Sequence, residues 1–464
     1  MEISAIVEQL LMYAEKHNLA EGLDITLARN LLLDLLQIPA PYHGEPLPAV
    51  KNITEILSPL SDYAFARGLI EENTVTRRDL FEAKIMGMLI PRNNEISKKF
   101  FALKEEAGTS AATDYFYNLS AATNYIQTER IKKNLSWLTP TDFGELQITI
   151  NLSKPEKDPR DIAKALTDAS ATYPECLLCV ENVGYAGHLN HPARQNHRII
   201  PLTLGGEQWY FQYSPYLYYN EHCIPLNAKH VPIKIGQATF EKLFDFLEIF
   251  PHYFVGSNAD LPIVGGSILS HDHFQGGRHT FPIENATVLR EFSFENGVTA
   301  EIIKWPMSVL RLKSTDRNLL TKTAVHILGK WRGHADGDII PYSGSTPHNT
   351  ITPIARIKQG YELDLVLRNN RTCEEHPDGI FHPHQNVHHI KKENIGLIEV
   401  MGLAILPGRL ADTLPIDAEE LRRRELYIGE NFLEALTHAG VYKTTQGGLA
   451  GFEKFIKLCG GKGK

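Results

Sequence analysis

Residues 271–278, His-Asp-His-Phe-Gln-Gly-Gly-Arg, combine side chains that could carry out a group transfer. Side chains alternate between the two faces of a strand, so His271, His273 and Gln275 share one face if the segment is extended. Two imidazoles and an amide are poor material for an apolar core, and this face is therefore predicted to line a site. Imidazole is a nucleophile near neutral pH, and phosphorus is a suitable electrophile for it.

Two pairs of glycines flank these side chains. Val264–Arg278 is predicted to be one strand with a hinge at each end, residues 265–266 and the pair Gly276 and Gly277. The second pair lacks Cβ atoms, so its backbone could approach a bulky anion. His-X-His alone is a weak signal, because histidine pairs also occur on surfaces and in cores. The glutamine in phase and the glycine pairs favour a functional site.

Cys176 and Cys179 form a C-x-x-C in a chain with only five cysteines. Three interpretations stay open: half of a zinc site, a redox dithiol, or two small core residues. No second C-x-x-C follows, so a four-coordinate zinc would need two histidines from elsewhere. His222 and His271 are the candidates.

A second histidine cluster contains His382 and His384 on either side of Pro383. In an extended chain these two imidazoles share a face and could hold a metal, together with His348. The alternative is a polar loop whose histidines meet solvent, and the pattern alone favours the loop slightly.

Residues 182–198 are rich in Gly, Asn and Arg and include Asn182 and Arg198. Guanidinium groups and amides suit the recognition of a nucleotide or a phosphate. They suit any polar loop equally well.

The elements that must position these residues fall into three regimes. Residues 1–150 show apolar positions at helical spacing, with helices expected at 76–88 and 94–107. Alternating residues 146–152 open a strand-rich regime, and a second such regime covers about 300–410. Asp417 is expected to cap a long helix that ends near Ala439.

The composition of the 464-residue chain excludes several classes of function. A hydrophobic content of 43% and a charged content of 22% are those of an ordinary globular protein. The net charge of -8 argues against bulk electrostatic binding of nucleic acid. No signal peptide and no run of about 18 apolar residues is visible, so no membrane partner is expected. Few cysteines, odd in number, favour a reducing cytoplasm.

Together these features resemble the hexose-1-phosphate uridylyltransferases of the galactose pathway, in their second bacterial class, which belong to the histidine-triad-like superfamily. The resemblance implies an α+β fold of duplicated half-barrels of antiparallel strands with flanking helices, plus a helical N-terminal region. The expected division is a helical region at 1–150, a first half carrying the nucleophile at 151–300, and a second half with the C-terminal helix at 301–464.

The resemblance assigns roles around the central motif. His273, the second histidine of His-X-His, is the expected nucleophile, and Gln275 steadies the phosphoryl oxygens. Asp272 stands where first-class members have proline, in keeping with the second class. The substrate-binding candidates are Asn258, Gly276, Gly277, Arg278, Asn182 and Arg198.

The resemblance also implies metal sites, both structural, because the chemistry requires no metal. The expected ligands of a structural zinc are Cys176, Cys179, His222 and His271. A second site would use His348, His382, His384 and Glu284. Residues 407–409 depart from the Gln-Arg of the first class, which leaves the sugar contacts there open.

The implied partners are UDP-glucose and galactose 1-phosphate, exchanged by ping-pong kinetics in a homodimer. Two rivals remain. Another nucleotidyl-transferring member of the superfamily, such as a dinucleotide phosphorylase, would share His273 and Gln275 but accept inorganic phosphate. A zinc-stabilised binding protein without catalysis would leave Gln275 and the glycine pairs unexplained.

Overall fold

The structure, a computed structural model, describes residues 2–153, 158, 160–161, 164 and 173–464. The chain folds into two compact units. Unit 1 comprises residues 1–133, 153–202 and 210–217, and unit 2 comprises residues 134–152, 203–209 and 218–464. The expected division at 150 and 300 stays a prediction.

Seven helices make up the N-terminal part of unit 1. Their bounds are α1 Ile3–Lys16, α2 Leu23–Leu36, α3 Ile53–Ala66, α4 Val75–Gly87, α5 Asn93–Ala107, α6 Thr109–Ala122 and α7 Thr128–Ile131. Helix α1 buries the apolar face seen in the sequence, including Val7, Leu10 and Ala14. The helical N-terminal region is thus confirmed.

A large sheet carries most of the strands. From one edge its order is β16 Lys462–Gly463, β8 Val288–Ser293, β9 Thr299–Ile303, β10 Val309–Ser314, β14 Tyr361–Asn369, β13 Asn349–Ile357, β6 Phe254–Gly256, β7 Gln275–Gly277, β5 Cys223–Asn227, β4 Glu207–Tyr213 and β3 Ile200–Leu204. Neighbours from β16 to β5 are antiparallel.

Two smaller sheets complete the strands of the described residues. One joins β1 Leu135–Thr141, β2 Gly144–Asn151 and β15 Leu403–Pro407, with β15 parallel to β2. The other pairs β11 Tyr342–Ser343 with β12 Thr346–Pro347.

Helices flank these sheets. Their bounds are α8 Gln237–Ile249, α9 Arg317–Arg332, α10 Leu397–Val400, α11 Ala418–Ala439 and α12 Gln446–Leu458. Asp417 caps α11 by accepting from the backbone N–H groups of Glu419 and Glu420, as expected. The predicted class, α+β with antiparallel strands and flanking helices, is confirmed.

One apolar core cluster of unit 2 packs α11 against the small three-stranded sheet. Phe432 and Leu436 of α11 lie in this cluster with Ile148 and Ile150 of β2. Among the described helices, none has both the length and the apolar character needed to cross a membrane.

Candidate active site

The segment that was predicted to be one strand from 264 to 278 is regular only at Gln275–Gly277. The three residues before it run antiparallel to residues 225–231, with a single bridge between Leu226 and His273. Two carbonyls that a regular ladder would use are taken by imidazoles instead, those of His271 and Asn227. The predicted long strand was therefore wrong.

Phe274 is buried. Its ring stacks on Trp209, with 4.7 Å between ring centroids and 19° between ring planes. His271 and His273 are both buried. Phe274 thus anchors the segment in the core, while the two imidazoles that precede it are held by hydrogen bonds.

His273 is held as one tautomer. Its Nδ1 lies 2.7 Å from the carbonyl oxygen of His271. A carbonyl oxygen only accepts, so Nδ1 carries the proton and the ring's lone pair is on Nε2. Burial lowers the pKa of His273 to about 4, which keeps the imidazole neutral at pH 7. A neutral imidazole with a lone pair on Nε2 is a nucleophile.

Gln275 begins β7, two residues beyond His273. Its Oε1 accepts a hydrogen bond from Nε2 of His222 at 3.1 Å. The amide oxygen is thereby turned toward His222, and the amino group is the end left to donate elsewhere. The amide can donate to a phosphoryl oxygen but is neither an acid nor a base near neutral pH.

Gly276 and Gly277 allow close packing of β7. A Cβ at Gly276 would lie 2.7 Å from the carbonyl oxygen of Phe254, and one at Gly277 would lie 2.8 Å from that of Glu221. Gly276 is paired on both sides, with β5 and with β6. The close approach seen here is therefore to protein backbone, and contact of these glycines with substrate stays a prediction.

Arg278 is tied to a buried carboxylate. Its Nε lies 3.1 Å from Oε1 of Glu221, whose other carboxylate oxygen accepts from the Tyr253 hydroxyl. Glu221 is 5% exposed and has a backbone φ of 53°, an uncommon conformation for glutamate. Sequence reasoning did not identify Glu221 or Tyr253 as part of the site, because both act through partners distant in sequence.

Asn258 is buried and acts as a tie between chain segments. Its Oδ1 accepts from the backbone N–H of Leu397 at 2.9 Å. A Cβ on Gly266 would lie 2.5 Å from its Nδ2. A contact of Asn258 with a nucleotide stays a prediction.

The C-x-x-C of unit 1 forms a tight turn. The two Sγ atoms lie 3.5 Å apart, and Nδ2 of Asn182 donates to the carbonyl oxygens of Cys176 and Cys179 at 2.8 and 2.9 Å. Asn182 therefore holds the loop that presents the two thiols. Two thiol sulfurs this close suit one soft metal ion.

In unit 2, His271 lies beside His230, with 4.9 Å between ring centroids. Nε2 of His271 donates to the carbonyl oxygen of Asn227 at 2.8 Å, which places the lone pair on Nδ1, the atom suited to a metal. Unit 1 thus offers two thiols, those of Cys176 and Cys179, and unit 2 offers two imidazoles, those of His230 and His271, as groups that could ligate a structural metal.

The imidazole beside His271 is that of His230, whereas the sequence suggested His222 as the second histidine ligand, and ligation by His222 stays a prediction. His222 is instead bonded to Gln275 and lies against Tyr219, with 4.5 Å between ring centroids. His230 was not identified from the sequence, because its position beside His271 depends on the antiparallel pairing of residues 225–231. No local sequence motif indicates that pairing. The bond from the N–H of Asp272 to the carbonyl of Val231 sets that register.

The residues expected at a second metal site have other partners. Oε2 of Glu284 lies 3.2 Å from Nζ of Lys358 and 3.7 Å from Nε of Arg356. His348 bonds Asn370 and Ser343, both at 2.8 Å.

The two remaining candidates of that second site are engaged as well. His382 lies 3.2 Å from Oδ1 of Asn394, and His384 lies 3.1 Å from the carbonyl oxygen of Ile380. Within the described part of the chain, no group of three or more potential ligands includes these residues.

Arg198 is engaged with unit 1 backbone. Its guanidinium donates to the carbonyl oxygens of Pro91, Gln195 and His197 at 2.8–3.0 Å. Burial lowers the pKa of Arg198 to about 10. The described contacts are those of a structural arginine, and phosphate recognition by it stays a prediction.

Comparisons with known proteins identify the family of the chain. Residues 38–232 match the family described as galactose-1-phosphate uridyl transferase, N-terminal domain, and residues 246–436 match the C-terminal domain of the same family. The galactose-1-phosphate uridylyltransferase of Caldanaerobacter subterraneus subsp. tengcongensis is 52% identical, over 98% of both chains. That of Halalkalibacterium halodurans is 50% identical, again over 98% of both.

Among solved structures, the yeast Ap4A phosphorylase Apa2 is similar with a TM-score of 0.37 and 13% sequence identity. The match covers 76% of this chain and 95% of that one. A likeness of this size is too low to argue from. The identity along nearly the whole length of the curated relatives is decisive: the chain belongs to the galactose-1-phosphate uridylyltransferase family.

Proposed function

We propose that this enzyme transfers a uridylyl group from UDP-glucose to galactose 1-phosphate through a covalent intermediate on His273. The observation that carries the proposal is the bond from Nδ1 of His273 to the carbonyl of His271, because it leaves the lone pair on Nε2. The family membership supplies the substrates, which are those of the relatives.

In the first step Nε2 of His273 attacks the α-phosphorus of UDP-glucose. A P–N bond forms, the bond from the α-phosphorus to the bridging oxygen breaks, and glucose 1-phosphate leaves with the electron pair. In the second step a phosphate oxygen of galactose 1-phosphate attacks the same phosphorus, UDP-galactose forms, and His273 regains its lone pair.

Gln275 favours transfer over hydrolysis. Its amino group can donate to an oxygen on the phosphorus in both steps, which stabilises the charge that develops there. Its amide cannot take a proton from water. A sugar phosphate is already ionised and needs no base, so it is the better acceptor.

We propose in addition that Cys176, Cys179, His230 and His271 bind one structural zinc. Two thiolates and two imidazoles are a typical closed zinc donor set. The ion would hold His271, at the start of the nucleophile segment, and would take no part in the chemistry. Metal analysis of the purified protein tests this, and one zinc per chain is expected. Active enzyme free of zinc would refute the site.

The cytoplasmic location, the homodimer and the two transferase halves at 151–300 and 301–464 belong to the same proposal. Light scattering tests the dimer, for which twice the chain mass of 52.2 kDa is expected. A mass equal to that of one chain would rule it out.

The test of the reaction is the release of glucose 1-phosphate from UDP-glucose, with and without galactose 1-phosphate. One equivalent per active site is expected alone, with continuous turnover once the acceptor is added. His273→Gly should release none while retaining the parent circular dichroism spectrum and melting temperature. Continuous release without acceptor would indicate a hydrolase, and a parent-like rate for His273→Gly would exclude this nucleophile.

A further inference from the structure

His222 is buried beside the catalytic glutamine, and its Nε2 is 3.1 Å from Oε1 of Gln275. Because an amide oxygen only accepts, the imidazole must donate, and Nε2 carries the proton. A primary amide has two ends of similar shape, an oxygen and an amino group. The bond from His222 distinguishes them: it holds the oxygen and turns the amino group away.

The imidazole of His222 is itself held in place. Its ring lies 4.5 Å from that of Tyr219, with 36° between the planes, and 5.5 Å from that of Tyr218, with 30° between the planes. The Tyr219 hydroxyl donates to the carbonyl of Gly276 at 3.2 Å, next to Gln275 in β7. The aromatic contacts thus fix the ring relative to the strand that carries the glutamine.

Glu221 fixes the backbone just before His222. Its φ of 53° turns the chain into β5, and its buried carboxylate binds the Arg278 guanidinium at 3.1 Å and the Tyr253 hydroxyl. Residues 219–222 are therefore attached to β7 on both sides of the two glycines. Restraints of this kind are needed to hold one side chain in place to within a fraction of an ångström.

We infer that His222 is a positioning residue that keeps the Gln275 carboxamide with its amino group turned toward the transferred phosphoryl group. This inference rests on the proposed function, because it concerns the orientation that uridylyl transfer needs. Without His222 the amide could present its oxygen, which would repel a phosphoryl oxygen instead of donating to it.

The test compares substitutions of His222 by their effect on the first half-reaction. His222→Phe keeps a ring between the tyrosines and loses the donor. It should slow the single-turnover release of glucose 1-phosphate by about tenfold or more. This loss is part of the rate loss that follows when a hydrogen-bond donor to the charge of the transition state is removed outright. The KM for UDP-glucose should change less than about twofold, because the donor stabilises the transition state and not the bound substrate.

Rescue separates positioning from packing. The amide nitrogen of glutamine reaches about where Nε2 of histidine lies, whereas that of asparagine reaches only Nδ1, so His222→Gln should recover most of the rate and His222→Asn should not. This pair stays informative even if His222→Phe does not fold. Equal rates for the glutamine and asparagine variants would overturn the inference.

A double-mutant cycle gives the sharpest outcome. In a Gln275→Ala background, His222→Phe should slow the reaction no further, because the amide it orients is gone. Fully multiplicative effects of the two substitutions would overturn the inference. The zinc content of His222→Phe should equal that of the parent, and a loss of zinc would return His222 to a ligand role.

The proposed function can be refuted by measurements that do not depend on His222. If the parent enzyme releases no equivalent of glucose 1-phosphate, or if His273→Gly releases it normally, the reaction assignment is wrong. If both behave as expected and His222→Phe has the parent rate, the reaction stands and only the role of His222 is lost.

Discussion

Gly276 lies where three chain segments meet. A Cβ there would lie 2.7 Å from the carbonyl oxygen of Phe254 and 3.2 Å from the sulfur of Cys223, and both neighbours are in paired strands that cannot move aside easily. The residue next to Gln275 is therefore constrained by the sheet itself, before any substrate is considered.

Gly276→Ala should destabilise the protein by about 1–3 kcal/mol, the usual cost of overpacking a dense site. It should also slow transfer, because β7 carries Gln275. Gly329→Ala is the control: Gly329 lies on α9 with nothing within 4 Å of an added Cβ, and alanine should be neutral or stabilising there. Urea unfolding and turnover rates measure both. Equal stability of the two variants would contradict the packing argument.

Glu82 of α4 has a pKa that is changed mainly by burial. Burial raises the pKa of Glu82 to about 7, Asp79 adds to the rise, and the Ser61 hydroxyl donates to Oε1 at 3.1 Å. The folded pKa lies above the unfolded value of 4.5, so the folded state holds the proton more tightly. Stability should therefore rise as the pH falls from 7 to 4.5.

Glu82→Gln should remove that dependence. At pH 8 the variant should be more stable than the parent by about 1–3 kcal/mol, and at pH 4.5 the two should be equal. Glu106→Gln changes an exposed glutamate of α5 and should follow the parent at both pH values. Unfolding curves at the two pH values decide, and a Glu82→Gln variant less stable at pH 8 would refute the effect of burial.

The sequence alone indicates His273 and Gln275 as candidates, whose catalytic roles stay predictions, and it indicates only part of the proposed metal-ligand group. In an extended chain a period of two places His271, His273 and Gln275 on one face. The identity of the second imidazole depends on which strand lies opposite, so His230 could not be distinguished from His222 before the register was known. A tautomer set by a carbonyl has no sequence signal at all.

Strands β10, β13 and β14 carry a buried ion network on adjacent positions. Asp364 is fully buried and bonds Nε of Arg311 at 2.7 Å and a terminal nitrogen of Arg356 at 2.9 Å. Burial alone would raise the pKa of Asp364, but the two guanidinium groups outweigh it and hold this pKa below its usual range. The sheet is thus fastened at its middle by charge as well as by backbone bonds.

Asp364→Asn should cost about 3–5 kcal/mol at pH 7, because it removes the carboxylate paired with buried Arg311 and one of the carboxylates paired with buried Arg356, which also pairs with Glu362. The folded pKa lies below the unfolded one, so in the parent this contribution is present above about pH 4 and is lost as the pH falls through the folded pKa. The variant should lack that acid-dependent loss.

Glu419→Gln is the matched control for the aspartate variant. Glu419 pairs with Arg423 on α11, but its side chain is 77% exposed, so the change should cost less than about 1 kcal/mol. Urea unfolding at pH 7 compares the two. Similar losses would show that burial of the network contributes nothing.

Secondary-structure elements with a clear apolar pattern were predicted from the sequence, and elements without one were not. Helices α4 and α5 lie where the apolar spacing placed them, within one or two residues. Strand β1 precedes the strand expected at 146–152 and was not identified, since its exposed side chains give no alternating apolar pattern. The tail at the end of the chain pairs with β8, which a Gly/Lys composition does not reveal.

At the scale of the whole molecule, a metal would act on the folding equilibrium. An ion that binds the folded chain and not the unfolded one adds stability by mass action. Removing the proposed zinc with a chelator should lower the melting temperature by about 5 °C or more, and added zinc should restore it. Calorimetry before and after chelation measures this. An unchanged melting temperature in verified metal-free protein would exclude a structural ion.

The acceptor that holds His273 is a neutral carbonyl and not a carboxylate. In the proposed intermediate both ring nitrogens are substituted, Nδ1 by its proton and Nε2 by phosphorus, so the imidazole is cationic. A carboxylate partner would neutralise that charge and make the adduct a resting state. A carbonyl stabilises it less, so the P–N bond keeps a high group-transfer potential. The enzyme is thereby suited to run its exchange in either direction between two sugar phosphates of nearly equal energy.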